Sequence, residues 1–199
     1  MIPQVIQFLV MLNPFALFLY LLPVMRDLDS KTFYKVLAKA SFISLIILGL
    51  CVFLCNLLIE NVFQINLESA RIFGGIIIFS FAYFFIIKGE QAYIYMKGSL
   101  DDLASEIALP FMVGAGTITL SLFLGQNHSD VKGFFVILIA LAITFVIIMV
   151  LKEIREFIFR KRYRIAFDKN MELLLRLNGF FIGAIGINMV RLGVVNLLK

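Results

Sequence analysis

Tryptophan is absent from the 199 residues, histidine occurs once and cysteine twice, and no aspartate, glutamate or histidine falls inside any long apolar stretch. Each shortage excludes something. A lone histidine, His128, rules out a His-Glu zinc motif, no Ser-His pair is present, and apolar stretches free of carboxylates hold no buried acid dyad, so the usual equipment of an enzyme is missing. Cys51 and Cys55 are spaced i, i+4 and could share one helical face, but no histidine or carboxylate lies nearby to complete a metal site. They read as small apolar packing residues, and no metal or other cofactor is expected. Without tryptophan, Tyr93, Tyr95 and Tyr163 near the ends of apolar stretches are the candidate interfacial anchors. No charged side chain precedes Arg26; a cleaved signal peptide begins with a positive segment and ends at a small-residue cleavage site, so the first stretch is expected to be a retained span.

What is abundant is hydrocarbon. The chain is 62% hydrophobic with mean hydropathy +1.01, where soluble domains sit near half apolar. Six apolar blocks can be marked, approximately 2–25, 36–58, 70–88, 107–125, 132–152 and 173–198. At roughly 20 residues per crossing, they predict an all-α integral membrane protein of six transmembrane helices joined by loops at 26–35, 61–69, 89–106, 126–131 and 153–172. The net charge of +5 is a topology signal rather than a phosphate-binding surface. Seven of the eighteen basic residues fall between Lys152 and Lys169, and the loops after the first, third and fifth blocks hold thirteen against three on the opposite side. The positive-inside bias therefore puts both termini outside the cytoplasm of a multi-pass inner-membrane protein, with membrane lipids and not nucleic acid as its surroundings. The run Phe159–Arg164 serves such anchoring or holds anionic lipid. Ser99 and Asp102 are spaced as a capping box opening a helix.

The two halves echo each other. Arg71-Ile72-Phe73-Gly74 opens the third block and Arg176-Leu177-Asn178-Gly179 opens the sixth, each followed by small residues. Gly74, Gly75, Gly179 and Gly183 are the candidate packing positions. Three spans per half is an odd number, so copies 1–98 and 99–199 must insert in opposite orientations, the inverted-repeat plan of many secondary transporters.

Two spans also carry helix breakers. In the first, Asn13-Pro14 lies near mid-span; proline removes a backbone donor and clashes with the preceding turn, while Asn as N-cap and Pro at N1 are a favoured helix start. In the fourth, Gly114-Ala115-Gly116-Thr117 occupies the corresponding depth, where two glycines permit an unwound turn and Thr117 or Thr119 can serve freed backbone groups. Aligning Pro14 with Ala115 superposes the breaks; a competing register pairs Pro14-Phe15 with Pro110-Phe111. A half-helix N-terminus in the membrane offers amides and partial positive charge to an anionic group. The alternative is a plain proline kink plus a glycine packing notch.

The Asn-Pro of the first span, the Gly-x-Gly-Thr turn of the fourth and the Arg-x-x-Gly-Gly opening of the third together resemble the MarC family of six-span membrane proteins, which includes the SnatA small neutral amino acid transporters. The likeness covers essentially the whole chain. By it, Asn13 and Pro14 match the family's Asn/Asp-Pro element, and Gly114, Ala115 and Gly116 its Gly-Pro-Gly element. The chain departs at Ala115, where the family has its second proline, and at Phe15-Ala16-Leu17, where the family commonly has a glycine. The expected function is alternating-access transport of glycine, alanine or a similar small neutral amino acid. The substrate site would comprise Asn13, Pro14, Phe15 and Ala16 with Gly114, Ala115, Gly116, Thr117 and Thr119. For the coupling ion, Thr117, Thr119 and Ser121 offer hydroxyls for Na+, whereas H+ coupling finds no buried acid; the sequence does not choose. A LysE-type exporter and a non-transporting structural or assembly protein are the other readings.

Overall fold

A computed structural model describes residues 1–54, 66–88, 104–105, 107–127, 130–158 and 161–198, and among them the secondary structure is entirely helical. The elements are α1 (Ile2–Leu12), α2 (Pro14–Tyr20), α3 (Leu22–Asp27), α4 (Ser30–Phe53), α5 (Leu67–Lys88), the π-type segment α6 (Ile107–Met112), α7 (Ala115–Asn127), α8 (Asp130–Phe157) and α9 (Lys161–Leu197). The Ser99–Asp102 cap, His128, Tyr93, Tyr95 and Cys55 lie outside the described residues.

Five helical stretches among these residues are long and apolar enough to cross a membrane: Ile2–Tyr20, Ser30–Phe53, Glu68–Ile87, Val131–Phe157 and Arg162–Leu197. The expected sixth, 107–125, is divided between α6 and α7, and neither piece alone has the length of a crossing. Two expected loops are also mostly helix. The first joint shrinks to Leu28-Asp29, where Asp29 caps α4 by accepting from the Thr32 amide at 3.2 Å. Hydrogen bonds from the Thr32 hydroxyl and amide hold the Asp29 carboxyl below its usual range. The expected loop 153–172 is the end of α8 and the beginning of α9. Lysine, arginine and glutamate are good helix formers, so a charged run marks where a helix leaves the apolar slab rather than where it stops. At 37 residues, α9 is about 55 Å long and overshoots a hydrocarbon core of about 30 Å.

α5 and α9 form an antiparallel pair with a seam of small residues. A Cβ on Gly75 would stand 2.6 Å from the Gly186 carbonyl oxygen, and one on Gly186 would stand 2.7 Å from that of Gly75. Further along, Gly193 faces Ile72, Gly183 faces Ala82 and Gly179 faces Phe85. Lipid supplies no hydrophobic drive between helices, so close backbone approach and dispersion hold such a pair. Outward-facing Phe42, Ile46, Leu50 and Phe53 on α4, and Phe73, Ile76, Phe81 and Phe84 on α5, are exposed; apolar surface on this scale in water would be an aggregation liability, but in a bilayer it is solvated.

At one end of the bundle the start of α4 meets the end of α8. Lys152, only 2% exposed, donates to Ser30 and Glu156, and its ammonium lies 5.3 Å from the centroid of the Tyr34 ring. Tyr34 donates in turn to Glu153. Arg155 grips Asp168 through two hydrogen bonds of 2.8 and 3.0 Å, tying α8 to the overshoot of α9. Such a buried cation persists because it is paired.

Candidate substrate site at two helix breaks

Proline 14 has no N–H to give the carbonyl of Val10, one helical turn back. Asn178 of α9 supplies the missing donor, its Nδ2 lying 2.9 Å from Val10 O. Asn13 makes the turn itself. It adopts φ 46°, ψ 73°, the left-handed conformation that asparagine tolerates better than most side chains. Its backbone N–H closes α1 on Leu9 O at 3.1 Å, and its Oδ1 accepts from the Ala16 amide at 3.2 Å to open α2. α2 and α3 run on through a hydrogen-bonded turn at Leu21, so the half-helix that begins at Pro14 is longer than α2 alone.

The second break is assembled differently. Pro110 drives the residue before it out of the helical region, and Leu109 has φ −115°, ψ 118°. The chain re-forms one wide turn, Val113 N–H to Ala108 O at 2.8 Å, then parts at Val113-Gly114 before α7 begins at Ala115. Thr117 holds this gap together: its buried hydroxyl accepts from Gly114 N–H at 3.0 Å and lies 2.9 Å from Met112 O and 3.0 Å from Gly114 O, to which it donates. Ser121 donates to Thr117 O at 2.7 Å. Pro14 and Ala115 are each the first residue of the helix after a break.

The two breaks are neighbours through Met11. Its methyl occupies the space beside Gly116 where a Cβ would come within 2.2 Å, with Ile78 of α5 next at 3.1 Å. Gly116 is thus small for room, not for an unusual backbone. Thr119 does not share the break. It lies further along α7, packed so closely on Gly74 that a Cβ there would stand 2.3 Å from its Cγ2. Gly74 accordingly serves the α5–α7 contact, while Gly75, Gly179 and Gly183 serve the seam with α9. Ala16 is buried and Phe15 partly so; the backbone of Ala115 begins α7.

Asn13 Nδ2 at the first break and Thr144 Oγ1 on α8 are buried polar atoms with no hydrogen-bond partner among the described residues. Thr144 sits on α8, which packs against both α1 and α2. It was legible as the lone polar side chain between Gly133 and Leu151. Asn178 was visible only as part of the Arg-x-x-Gly echo. Arg176, from the same echo, pairs with Glu172 at 2.7 Å and donates to Ile86 O at 2.8 Å, capping the end of α5 rather than meeting the breaks. Arg191 donates to Asn188 on its own helix.

The role of Asn178 is checked directly. Asn178→Leu strands Val10 O without a donor and is expected to lower stability by about 1–2 kcal/mol, read as a fall in the thermal midpoint in detergent. A midpoint equal to that of the native protein would mean that Val10 O is served otherwise.

The comparisons with known proteins agree with an integral membrane protein. The family described as MarC family integral membrane protein matches residues 1–198. The UPF0056 membrane protein PH0214 of Pyrococcus horikoshii is 25% identical over 196 residues, covering 96% of this chain and 93% of its own. The UPF0056 membrane protein YvbG of Bacillus subtilis is 23% identical over 165 residues, covering 78% and 75%. No solved structure matches the chain. With apolar crossings throughout and a match that leaves out only the final residue, the chain belongs to the MarC family of integral membrane proteins.

Proposed function

We propose that the protein is a secondary transporter of small neutral amino acids of the glycine and alanine class, and not an enzyme. The substrate is held at mid-membrane between the two breaks, and inverted halves 1–98 and 99–199 rock against each other around it, with both termini outside the cytoplasm. One observation carries the reading. Asn13 Nδ2, in a residue 1% exposed, has no acceptor among the described residues at the point where the first span is interrupted. A buried donor without an acceptor costs about 1–3 kcal/mol, and more where lipid excludes water. The amides of Phe15, Gly116 and Thr117 stand in the first turns of the two half-helices. A carboxylate matches donors of this kind, and the backbone carbonyl of Val113, in the gap before α7, suits an ammonium.

Met11 fills the space beside Gly116, and a substrate of the glycine and alanine class asks for the least displacement of that side chain. The hydroxyls of Thr117 and Ser121 are engaged with backbone carbonyls, so a Na+ ion sharing the site would compete with those bonds.

A thermal-shift screen of the twenty amino acids in detergent tests this. A ligand that binds only the folded form at about 100 times its dissociation constant stabilises by roughly 2.7 kcal/mol, so glycine or alanine should raise the midpoint selectively, with glutamate and lysine inert. Counterflow of glycine in proteoliposomes, measured in both directions, then separates uptake from export. No saturable binding and no counterflow would leave a structural or assembly role.

A further inference from the structure

Away from the breaks, towards the chain's N-terminal end of α1, a cavity of about 290 Å³ opens between four helices. Gln4, Gln7 and Phe8 come from α1, Arg71 from α5, Phe123 from α7 and Asn188 from α9. Its size is at the low end for ligand pockets, suiting a small polar molecule. Phe8 lies one helical turn from Met11, and Leu120 in the cavity wall lies one turn from Gly116, so the floor of this cavity is the layer that separates it from the breaks.

Arg71 is the chemical centre of the cavity. It is four residues into α5 and largely buried, its guanidinium carbon 4.5 Å from the Phe123 ring centroid. One nitrogen, Nη1, pairs with Glu68 Oε2 at 2.9 Å, and Glu68 Oε1 accepts from Asn196 at 3.3 Å. Nε and Nη2 are the guanidinium's other donors. A largely buried guanidinium near the start of a span is held there by its pairing with Glu68, and its planar fork matches a carboxylate. A simple anion would have to compete with Glu68. A zwitterion would compete less, because its carboxylate can meet Arg71 and the amides of Gln7 or Asn188 in the lining while its ammonium turns to the side of Arg71 where Glu68, beside the cavity, supplies negative charge.

We infer that this cavity is a second, peripheral binding site for a small zwitterion, a vestibule in which Arg71 takes the carboxylate and Glu68 the ammonium before the molecule passes Met11 to the breaks. The identity of that zwitterion as the transported amino acid rests on the function proposed above; the occupancy of the cavity does not.

Occupancy is read by protection of a reporter thiol. Gln7→Cys, placed in the full chain with Cys51→Ala and Cys55→Ala, is labelled with a methanethiosulfonate reagent in detergent, and Leu192→Cys on the opposite wall is a second reporter should the first not fold. Glycine at about ten times its dissociation constant should slow labelling about tenfold, with acetate and methylamine, each carrying half the charge pair, protecting less. Arg71→Gln should raise the half-protecting glycine concentration about tenfold or more, as expected for loss of a charge-assisted bond, and Arg71→Lys should lie between. Protection should survive Gly116→Leu, which blocks the deeper site. Labelling unaffected by glycine at both reporters, or protection abolished by Gly116→Leu but indifferent to Arg71→Gln, overturns the vestibule. Transport without protection leaves the carrier and removes the vestibule; protection without transport does the reverse.

Discussion

Gly186→Val is expected to leave little folded protein, while Gly183→Ala, one turn away on the same face of α9, is nearly silent. The two glycines differ in what stands opposite. At Gly186 an added Cβ meets backbone, the Gly75 carbonyl oxygen at 2.7 Å and the Phe79 nitrogen at 2.8 Å, and no rotamer change can move either. Valine's second and third carbons then force α5 and α9 apart along a contact that runs from Gly193 to Gly179. Overpacking of this kind costs about 1–3 kcal/mol at an ordinary core site and more where the obstacle is rigid; against a typical stability of about 5–15 kcal/mol, the expected result is loss of the monodisperse species on size exclusion or a fall of the thermal midpoint by many degrees. At Gly183 the added carbon meets only the Ala82 Cβ at 3.3 Å, which a few tenths of an ångström relieves. Gly75→Val should behave as Gly186→Val does, because the same crossing is blocked from the other side. Equal midpoints for the Gly186 and Gly183 variants would refute this account of the seam.

Asn13→Gly is expected to cost transport and glycine binding about tenfold or more with almost no cost in stability. Glycine adopts the left-handed backbone at no penalty, and as an N-cap it is only a few tenths of a kcal/mol worse than asparagine. What it removes is the carboxamide, including the buried Nδ2 that has no acceptor among the described residues. Asn13→Leu removes the same group but also forces a branched side chain to φ 46°, at about 1–2 kcal/mol for the backbone and about 1 more for the cap. The pair separates function from folding: equal glycine affinity in the native protein and Asn13→Gly would take Asn13 out of the site. Thr117→Val is the matching change at the second break. It deprives Gly114 N–H of its acceptor and Met112 O of its donor, so it should lower both stability and binding.

Much of this could be anticipated from local chemistry. Asn13-Pro14 specified a helix start because both residues act through their own covalent structure, one by tolerating a left-handed turn and one by lacking an N–H. Gly114 and Gly116 marked the second interruption, but the departure of Leu109 from helix before Pro110 was not anticipated, and the division of labour there was not legible. Thr117 was foreseen as a partner for freed backbone. Thr119 was expected to share that role, but the helical period carries it round to Gly74. Charged joints were misread as loops, since polarity reports exit from the slab and not the end of a helix.

By itself the sequence determined that the chain lives in a bilayer, roughly where it crosses, and where two crossings are interrupted, because these depend on run length, charge and residue-intrinsic backbone preferences. Only the tertiary structure decided which side chains answer the breaks, Asn178 reaching Val10 O and Met11 filling the space at Gly116, and which meet in the separate cavity, where Arg71 lies over Phe123. The physical reason is that lipid is as apolar as a helix interface. In water, a hydrophobic stripe tells a helix which face to bury; in a membrane every face is hydrophobic, and rotation is set by shape and by a few polar contacts between residues far apart in the chain.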